Sequence, residues 1–477
     1  MNVGMDANAI LIHLKSDPKI TEREVNLIPA FLYRRIANRP NLVKIVDNIG
    51  WLVLDKVLRM GVGLFVGVWI ARYLGPQQFG LLSFATAFVG LFGAIAALGL
   101  QGPVVRDMVR DPANKEKTLG TAAALMVIAS LVSYSLILVT IFWMRPEDPI
   151  AKAIVAILGS TVLFKVSEVA VYWFESQVLS KYTVWVQNGV LLVFAVIKVG
   201  LILQGADLIT FAWAMMAEAL AMAVLLLVVL SLRGLQVQKL CVRLDRAKKL
   251  LADSWPLLLS AIAIVIYTKI DQIMLGQMIG DEAVGIYSAA AKLSMFWYFL
   301  PGIVVASVFP AIIRAKYVSD NLYRARMQNL YDMGVVASLV ISGAVSIFAS
   351  PIVVMLFGVE YAEAGGVLRI HMWALAFVFL GFASNRWLIL ENLQLLQLER
   401  TLLGASFNVL LNLFLIPKMG IHGAAYATVL SVCLVGLFYD VVRNATREMF
   451  LMKMKALMLP RSVHRIYRQG AAERSAV

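Results

Sequence analysis

Long apolar stretches separated by short polar breaks set the pattern of this chain. Runs of the length a bilayer crossing requires, about 20 residues, fall near 46–73, 79–100, 118–144, 150–173, 184–204 and 208–232, and again near 254–279, 284–312, 330–357, 364–390, 401–417 and 421–442. The pattern predicts an all-α polytopic membrane protein of about 12 transmembrane helices in two sets of six. Residues 45–232 form the first set and 254–442 the second, with 233–253 as a basic linker and 443–477 as a basic tail.

Residues 1–44 hold no apolar run long enough to span, which predicts no signal peptide. Thr21 and Glu24 have capping-box spacing, and Val25, Ile28, Leu32 and Ile36 then recur at helical intervals beside Arg34, Arg35 and Arg39. That spacing fits an amphipathic helix on the inner membrane surface, and equally a solvated tail with some helical content. A short segment recurs at the same place in each half. Setting LGPQQFGLLSFA (74–85) above IGDEAVGIYSAA (279–290) superposes Gly75 on Gly280, Gly80 on Gly285 and Ser83 on Ser288, each between two apolar runs.

Composition agrees with the pattern: 61% of the residues are hydrophobic and 15% charged, with a mean hydropathy of +0.80, which excludes a soluble globular chain. The net charge of +14 sits in short segments between apolar runs, as expected of loops beside anionic lipid, and not of a nucleic-acid-binding protein. The breaks carrying Arg106, Arg110, Lys115 and Lys117, or Arg233, Lys239, Arg243, Arg246, Lys248 and Lys249, or Arg314, Lys316, Arg324 and Arg326 are assigned to the cytoplasm. The alternate breaks at 74–78, 206–207, 280–283 and 358–363 lack a basic residue, and only Arg145 and Lys418 intrude on that side. Both termini are then cytoplasmic. Cys241 and Cys433 have no metal-ligand spacing, and the glycosylation-like Asn444-Ala445-Thr446 falls on the cytoplasmic side.

Ionisable groups within spans cost at least ~2.5 kcal/mol in lipid, so they mark candidate sites. Asp55 and Arg59 stand one turn apart and neutralise each other, which leaves Lys56 the freer charge. Lys165, Glu168, Tyr172 and Glu175 form a stripe on one helix, facing either a cavity or an internal salt bridge. Lys198, Glu218, Lys269, Asp271, Lys292, Arg369, His371 and Arg386 add charges on other helices, with positive ones in excess. A cationic cavity suits an anionic ligand. Lys292 has two readings, as a ligand contact or as the partner of Asp271; His371 reads more simply as a packed histidine.

No P-loop, HExxH or GxSxG sequence occurs, and every outer break is short, so nucleotide-driven transport and catalysis are not expected. The ordered series Arg72-Tyr73-Leu74-Gly75-Pro76 with Phe79-Gly80, Leu98-Gly99-Leu100 and Arg106 resembles a Wzx-type polysaccharide flippase. So do Asp271-Gln272-Ile273-Met274-Leu275-Gly276, the 284–290 segment, Lys292 and Phe309-Pro310. A third block agrees: Leu356-Phe357-Gly358, Tyr361, Val367-Leu368, Asn408, Leu415-Ile416-Pro417 and Gly420-Ile421-His422-Gly423-Ala424-Ala425.

The resemblance implies the multidrug, oligosaccharidyl-lipid and polysaccharide exporter superfamily, with two pseudo-symmetric six-helix lobes in a V around a central cavity. It implies a glycan on an undecaprenyl diphosphate carrier as substrate, the bacterial inner membrane as location, and polysaccharide polymerase or assembly proteins as partners. Joined to the buried charges, it makes Lys56, Arg59, Lys165, Glu168, Lys198, Lys269, Asp271 and Lys292 the candidate cavity residues. H+ or Na+ is the candidate coupling ion, through Glu168 or Asp271, with no other cofactor. A cation-coupled drug antiporter and a sugar-modifying membrane enzyme are the competing readings. The N-terminal extension before Asn41 departs from the family pattern.

Overall fold

The computed structural model describes residues 40–233, 240–391 and 393–458. The amphipathic pattern at Thr21 to Arg39 and the end of the basic tail lie outside them. Among the described residues every regular element is a helix, and ten helical stretches are long and apolar enough to cross a membrane. Their outward faces carry Phe65, Trp69, Val139, Trp143 and Val196, each more than half exposed. Such an apolar exterior needs hydrocarbon around it, and helices satisfy their own backbone there. This is a multi-pass membrane protein.

The helices are α1 (Pro40–Ala97), α2 (Gln101–Arg110), α3 (Lys115–Met144), α4 (Pro149–Gly159), α5 (Glu168–Ser176), α6 (Ser180–Leu203) and α7 (Leu208–Leu232) in the first half. A tighter 3₁₀ stretch, Ser160–Ser167, joins α4 to α5. The second half has α8 (Leu244–Met278), α9 (Asp281–Trp297), α10 (Phe299–Val318), α11 (Asp320–Ile347), α12 (Ala349–Phe357), α13 (Ala364–His371), α14 (Ala374–Leu390) and α15 (Gln394–Cys433). Short α16 (Tyr439–Val442) and α17 (Arg447–Leu457) close it. The long α1 and α15 are each interrupted where the hydrophobic pattern places a turn. Gly75 (φ 69°) breaks α1 and Gly420 (φ 57°) breaks α15, both in the left-handed region where a side chain is strained.

The repeated turns meet. A Cβ on Gly80 would strike the carbonyl oxygen of Asp281, and one on Gly285 would strike that of Pro76. Under the alignment that pairs Gly75 with Gly280, these two contacts are one contact seen twice, so the halves touch backbone to backbone through reciprocal glycines. Arg145, which intrudes on the lysine-poor side, has its reason here: its guanidinium spans to Asp281 at 2.7 Å, donates to the Gly276 carbonyl at 3.0 Å and lies 4.0 Å over the Phe84 ring. Around this seam α9 and α8 pack along α1, which makes α1 the axis of the bundle.

At the opposite end the linker is less of a spacer than the charge pattern suggests. Helix α8 begins at Leu244, ten residues before the expected span, because its basic first turns have acids to meet. Arg246 donates to Asp111 at 2.6 Å, Lys249 stands 3.2 Å from Asp107, and Arg106 bridges Asp107 and Asp253. The Arg246 hydrogen bond holds the Asp111 carboxyl below its ordinary value.

The start of the basic tail likewise folds back. Helix α17 lies on α11, and its Lys453 is fully buried, donating to the Gly436 carbonyl at 2.7 Å and pairing with buried Asp440. Arg400, also buried, donates to the Val435 carbonyl at 2.6 Å. Both acceptors lie in the π-helical turn Leu434–Phe438, where wider winding displaces carbonyls from the ordinary ladder. Removing one member of such a pair strands the other. Lys453→Ala should therefore lower stability by about 3–5 kcal/mol, read as a drop in the melting temperature of purified protein, while Arg324→Ala, which breaks an exposed pair with Glu448, should cost under about 1 kcal/mol.

Candidate functional site

A cavity of about 400 Å³ lies between the two halves, walled by α1, α6, α8 and α9. Its walls follow from helical spacing. On α1 the small and apolar residues Val62, Gly63, Val66, Gly67 and Ile70 share one face, and beyond the break Phe79, Leu82, Ser83 and Thr86 share another. Across the cavity α8 contributes Lys269 and Gln272, and α9 contributes Ser288, Ala291, Lys292 and Met295.

Three lysines enter this apolar space: Lys198, Lys269 and Lys292. Lys198 is neutralised by Glu218 on α7 at 2.5 Å. Neither Lys269 nor Lys292 forms an ion pair or hydrogen bond among the described residues. The Lys292 ammonium lies 5.8 Å from the centroid of the Phe79 ring, where the ring face attracts a cation. It also fills the space where a Gly67 side chain would be. The cavity thus offers two uncompensated positive charges and the buried, unpartnered Ser288 hydroxyl.

The other candidates lie elsewhere. Asp271 is 3% exposed and turns away from Lys292, so the Asp271–Lys292 ion pair considered above does not form. Its carboxylate accepts from the Tyr287 hydroxyl at 2.6 Å, Asn412 Nδ2 at 2.5 Å and the Thr428 hydroxyl at 2.5 Å. Tyr287 also meets His371 Nε2 at 3.0 Å, and His371 Nδ1 lies 3.2 Å from the Ser294 hydroxyl, so the histidine is packed inside this cluster. The cluster borders a second cavity of about 350 Å³ that shares Gln272, Ala291 and Met295 with the first.

Lys165 and Glu168 pair with each other at 2.8 Å, outside the central cavity's lining. Their i, i+3 spacing suits the 3₁₀ winding, in which such residues eclipse. Arg59 bonds Asp55 at 2.8 Å and also Gln187, whereas Lys56 is exposed and has no ion pair among the described residues. Sequence reasoning singled out neither Gly67 nor Phe79 as parts of the Lys292 seat. The spacing of Gly63 and Gly67 on an apolar helix was the available signal, since small residues four apart mark close helix approach.

The family described as polysaccharide biosynthesis protein matches residues 45–316, more than half of the chain. The chain belongs to this family. The chain is 32% identical over 174 residues to the probable flippase AglR of Haloferax volcanii, a match covering 35% of this chain and 36% of AglR. It is 25% identical over 394 residues to the probable low-salt glycan biosynthesis flippase Agl15 of the same organism, covering 78% of each. Its fold is shared with the lipid II flippase MurJ in an inward closed conformation, at a TM-score of 0.65 and 14% identity, over 85% of this chain and 90% of that one. The chain therefore shares the fold of that flippase, and its lysine-bearing cavity lies inside the stretch that the family matches.

Proposed function

We propose that this protein is a flippase that carries a lipid-linked oligosaccharide, attached through undecaprenyl diphosphate, across the bacterial inner membrane. The observation that carries the reading is the pair of uncompensated lysines, Lys269 and Lys292, in a mainly apolar cavity between the halves. A diphosphate cannot enter hydrocarbon unpaired. Two ammonium groups held out of bulk water attract it strongly, while Ser83, Thr86, Gln272 and Ser288 in the lining offer the sugars hydrogen-bonding groups. The relatives named as flippases point the same way. A cavity for cationic drugs would present carboxylates instead, and Glu218 is already engaged by Lys198.

The two halves act as lobes that rock about the central cavity in alternating access, with both termini and the linker cytoplasmic. The lipid tail stays in the bilayer. Asp271, ringed by hydroxyl and amide groups, supplies the coupling site for H+ or Na+. Because Gln272, Ala291 and Met295 line both cavities, a change at the carboxylate reaches the lysine-bearing wall through one residue layer. Asp271→Asn should leave binding of lipid-linked glycan within a few-fold of wild type and abolish the dependence of its export on the ion gradient. Comparing vesicles with and without a gradient checks this. The reading as a whole is tested in a strain lacking the gene: its membranes should accumulate lipid-linked glycan, identified by mass spectrometry, and an unchanged lipid-linked pool would overturn it.

A further inference from the structure

We propose that a groove between α10 and α11 binds an anionic phospholipid of the inner leaflet, its phosphate held by Arg314 and Arg326. The groove is about 610 Å³ and lies where these two helices meet near Ser319. Val304, Val308, Ala311 and Ala315 recur along one face of α10 and form one wall; Leu322, Leu330 and Met333 on α11 form the other. Two features separate it from an ordinary gap between membrane helices.

The first is charge that the protein does not neutralise. The adjoining ends of these helices carry four basic residues, and two are answered: Lys316 bonds Glu391 at 2.5 Å and Arg324 bonds Glu448 at 2.7 Å. The two that line the groove have no carboxylate partner among the described residues. Arg326 is fixed across the groove by donating to the Ala311 carbonyl at 2.6 Å, which leaves its remaining N–H groups for another acceptor. The second feature is that these charges adjoin exposed apolar side chains: Val318 is 74% exposed and Met333 52%. An anion with an apolar body satisfies both, and a free anion satisfies only one. Each basic group near a lipid surface contributes about the same increment of attraction, and guanidinium forks match phosphate geometry.

The occupant is a bulk phospholipid and not the transported carrier, because the groove faces away from the transport path. Gly302 is the α10 residue that approaches Phe382, which lines the second cavity, and residues 304, 308, 311 and 315 lie roughly 180–240° around the helix from it at 100° per residue. A lipid held there braces the α10–α11 junction from outside.

Native mass spectrometry of the detergent-solubilised full chain, titrated with phosphatidylglycerol or phosphatidylcholine, tests the site. Wild type should retain phosphatidylglycerol in preference to phosphatidylcholine and gain several degrees of melting temperature from it. R314Q combined with R326Q should weaken the phosphatidylglycerol adduct by roughly 30-fold, the effect of two basic groups. Met333→Trp, which keeps both arginines and fills the apolar part, should weaken it as well and guards against a double variant that fails to fold. Equal retention of the two lipids, or an unchanged adduct in both variants, overturns the proposal. So does displacement of phosphatidylglycerol by undecaprenyl diphosphate, which would make the groove a carrier site, or equal stabilisation by inorganic phosphate, which would make the apolar walls irrelevant.

Discussion

Replacing Lys269 and Lys292 together by glutamine should reduce glycan export by 100-fold or more while leaving the protein folded and in the membrane. Each lysine is a charge-assisted contact of about 1.5–3 kcal/mol to a phosphate oxygen, so each single change should cost roughly 10- to 100-fold. The pair acts on one diphosphate, and the double effect will not be a simple product. Stability should not fall, because neither lysine supports a carboxylate whose removal would strand a charge. Lys198→Gln is the informative contrast: it frees Glu218 and should reduce both protein level and export. Gly67→Ala should reduce export less than Lys292→Gln, since its methyl takes the place of the ammonium but the flexible end of the lysine can shift. Export and protein level measured side by side check all five variants.

Gly285→Val should hold the protein with its lysine-poor face open. The Cβ would lie on the Pro76 carbonyl oxygen, and that of Gly80→Val on the Asp281 carbonyl oxygen; a backbone acceptor cannot rotate away as a flexible side chain can. The clash is between the halves and not within either, so parting them relieves it with less loss than unfolding. Packed interfaces move between discrete arrangements and do not stretch. In a background without Cys241 and Cys433, a cysteine at Ser83, on the cavity wall, should react with a membrane-impermeant thiol reagent from outside in Gly285→Val and far less in the parent. Arg145→Gln, which removes the Asp281 salt bridge at the same seam, should shift reactivity in the same direction by a smaller factor. Unchanged reactivity in well-folded Gly285→Val would mean that the glycines do not seal the cavity.

The apolar helices and the turns at Gly75, Gly280 and Gly420 were legible because lipid enforces them: apolar length is needed to span, and glycine is needed where the backbone takes positive φ. Buried charges were legible as charges but not as partners. Lys198 and Glu218 are 20 residues apart on neighbouring helices, and nothing local announces their pairing. The separation of Lys269 from Asp271 is a matter of rotation. At 100° per residue, Gln272 returns toward the Lys269 face while Asp271 points into the Tyr287 cluster. In the same way Ser288 and Lys292 face the central cavity while Tyr287 and Ser294 face His371. Sequence spacing gives these relative angles but not which face is central, and that choice depends on packing against α1. Lys453 was missed because α17 lies beyond the last apolar run, in a segment whose basic composition gave no sign of burial, and its partner Asp440, inside the 421–442 run, has no local signal of that pairing.

The most direct measurement is translocation of a fluorescent undecaprenyl-diphosphate-linked oligosaccharide in vesicles holding the purified protein, followed by chemical quenching of label on the outer leaflet. The account predicts that wild type moves the label across much faster than protein-free vesicles do, and that the Lys269 and Lys292 double glutamine variant falls to the protein-free rate. Equal rates for wild type and protein-free vesicles, or a wild-type rate in the double variant, would contradict it.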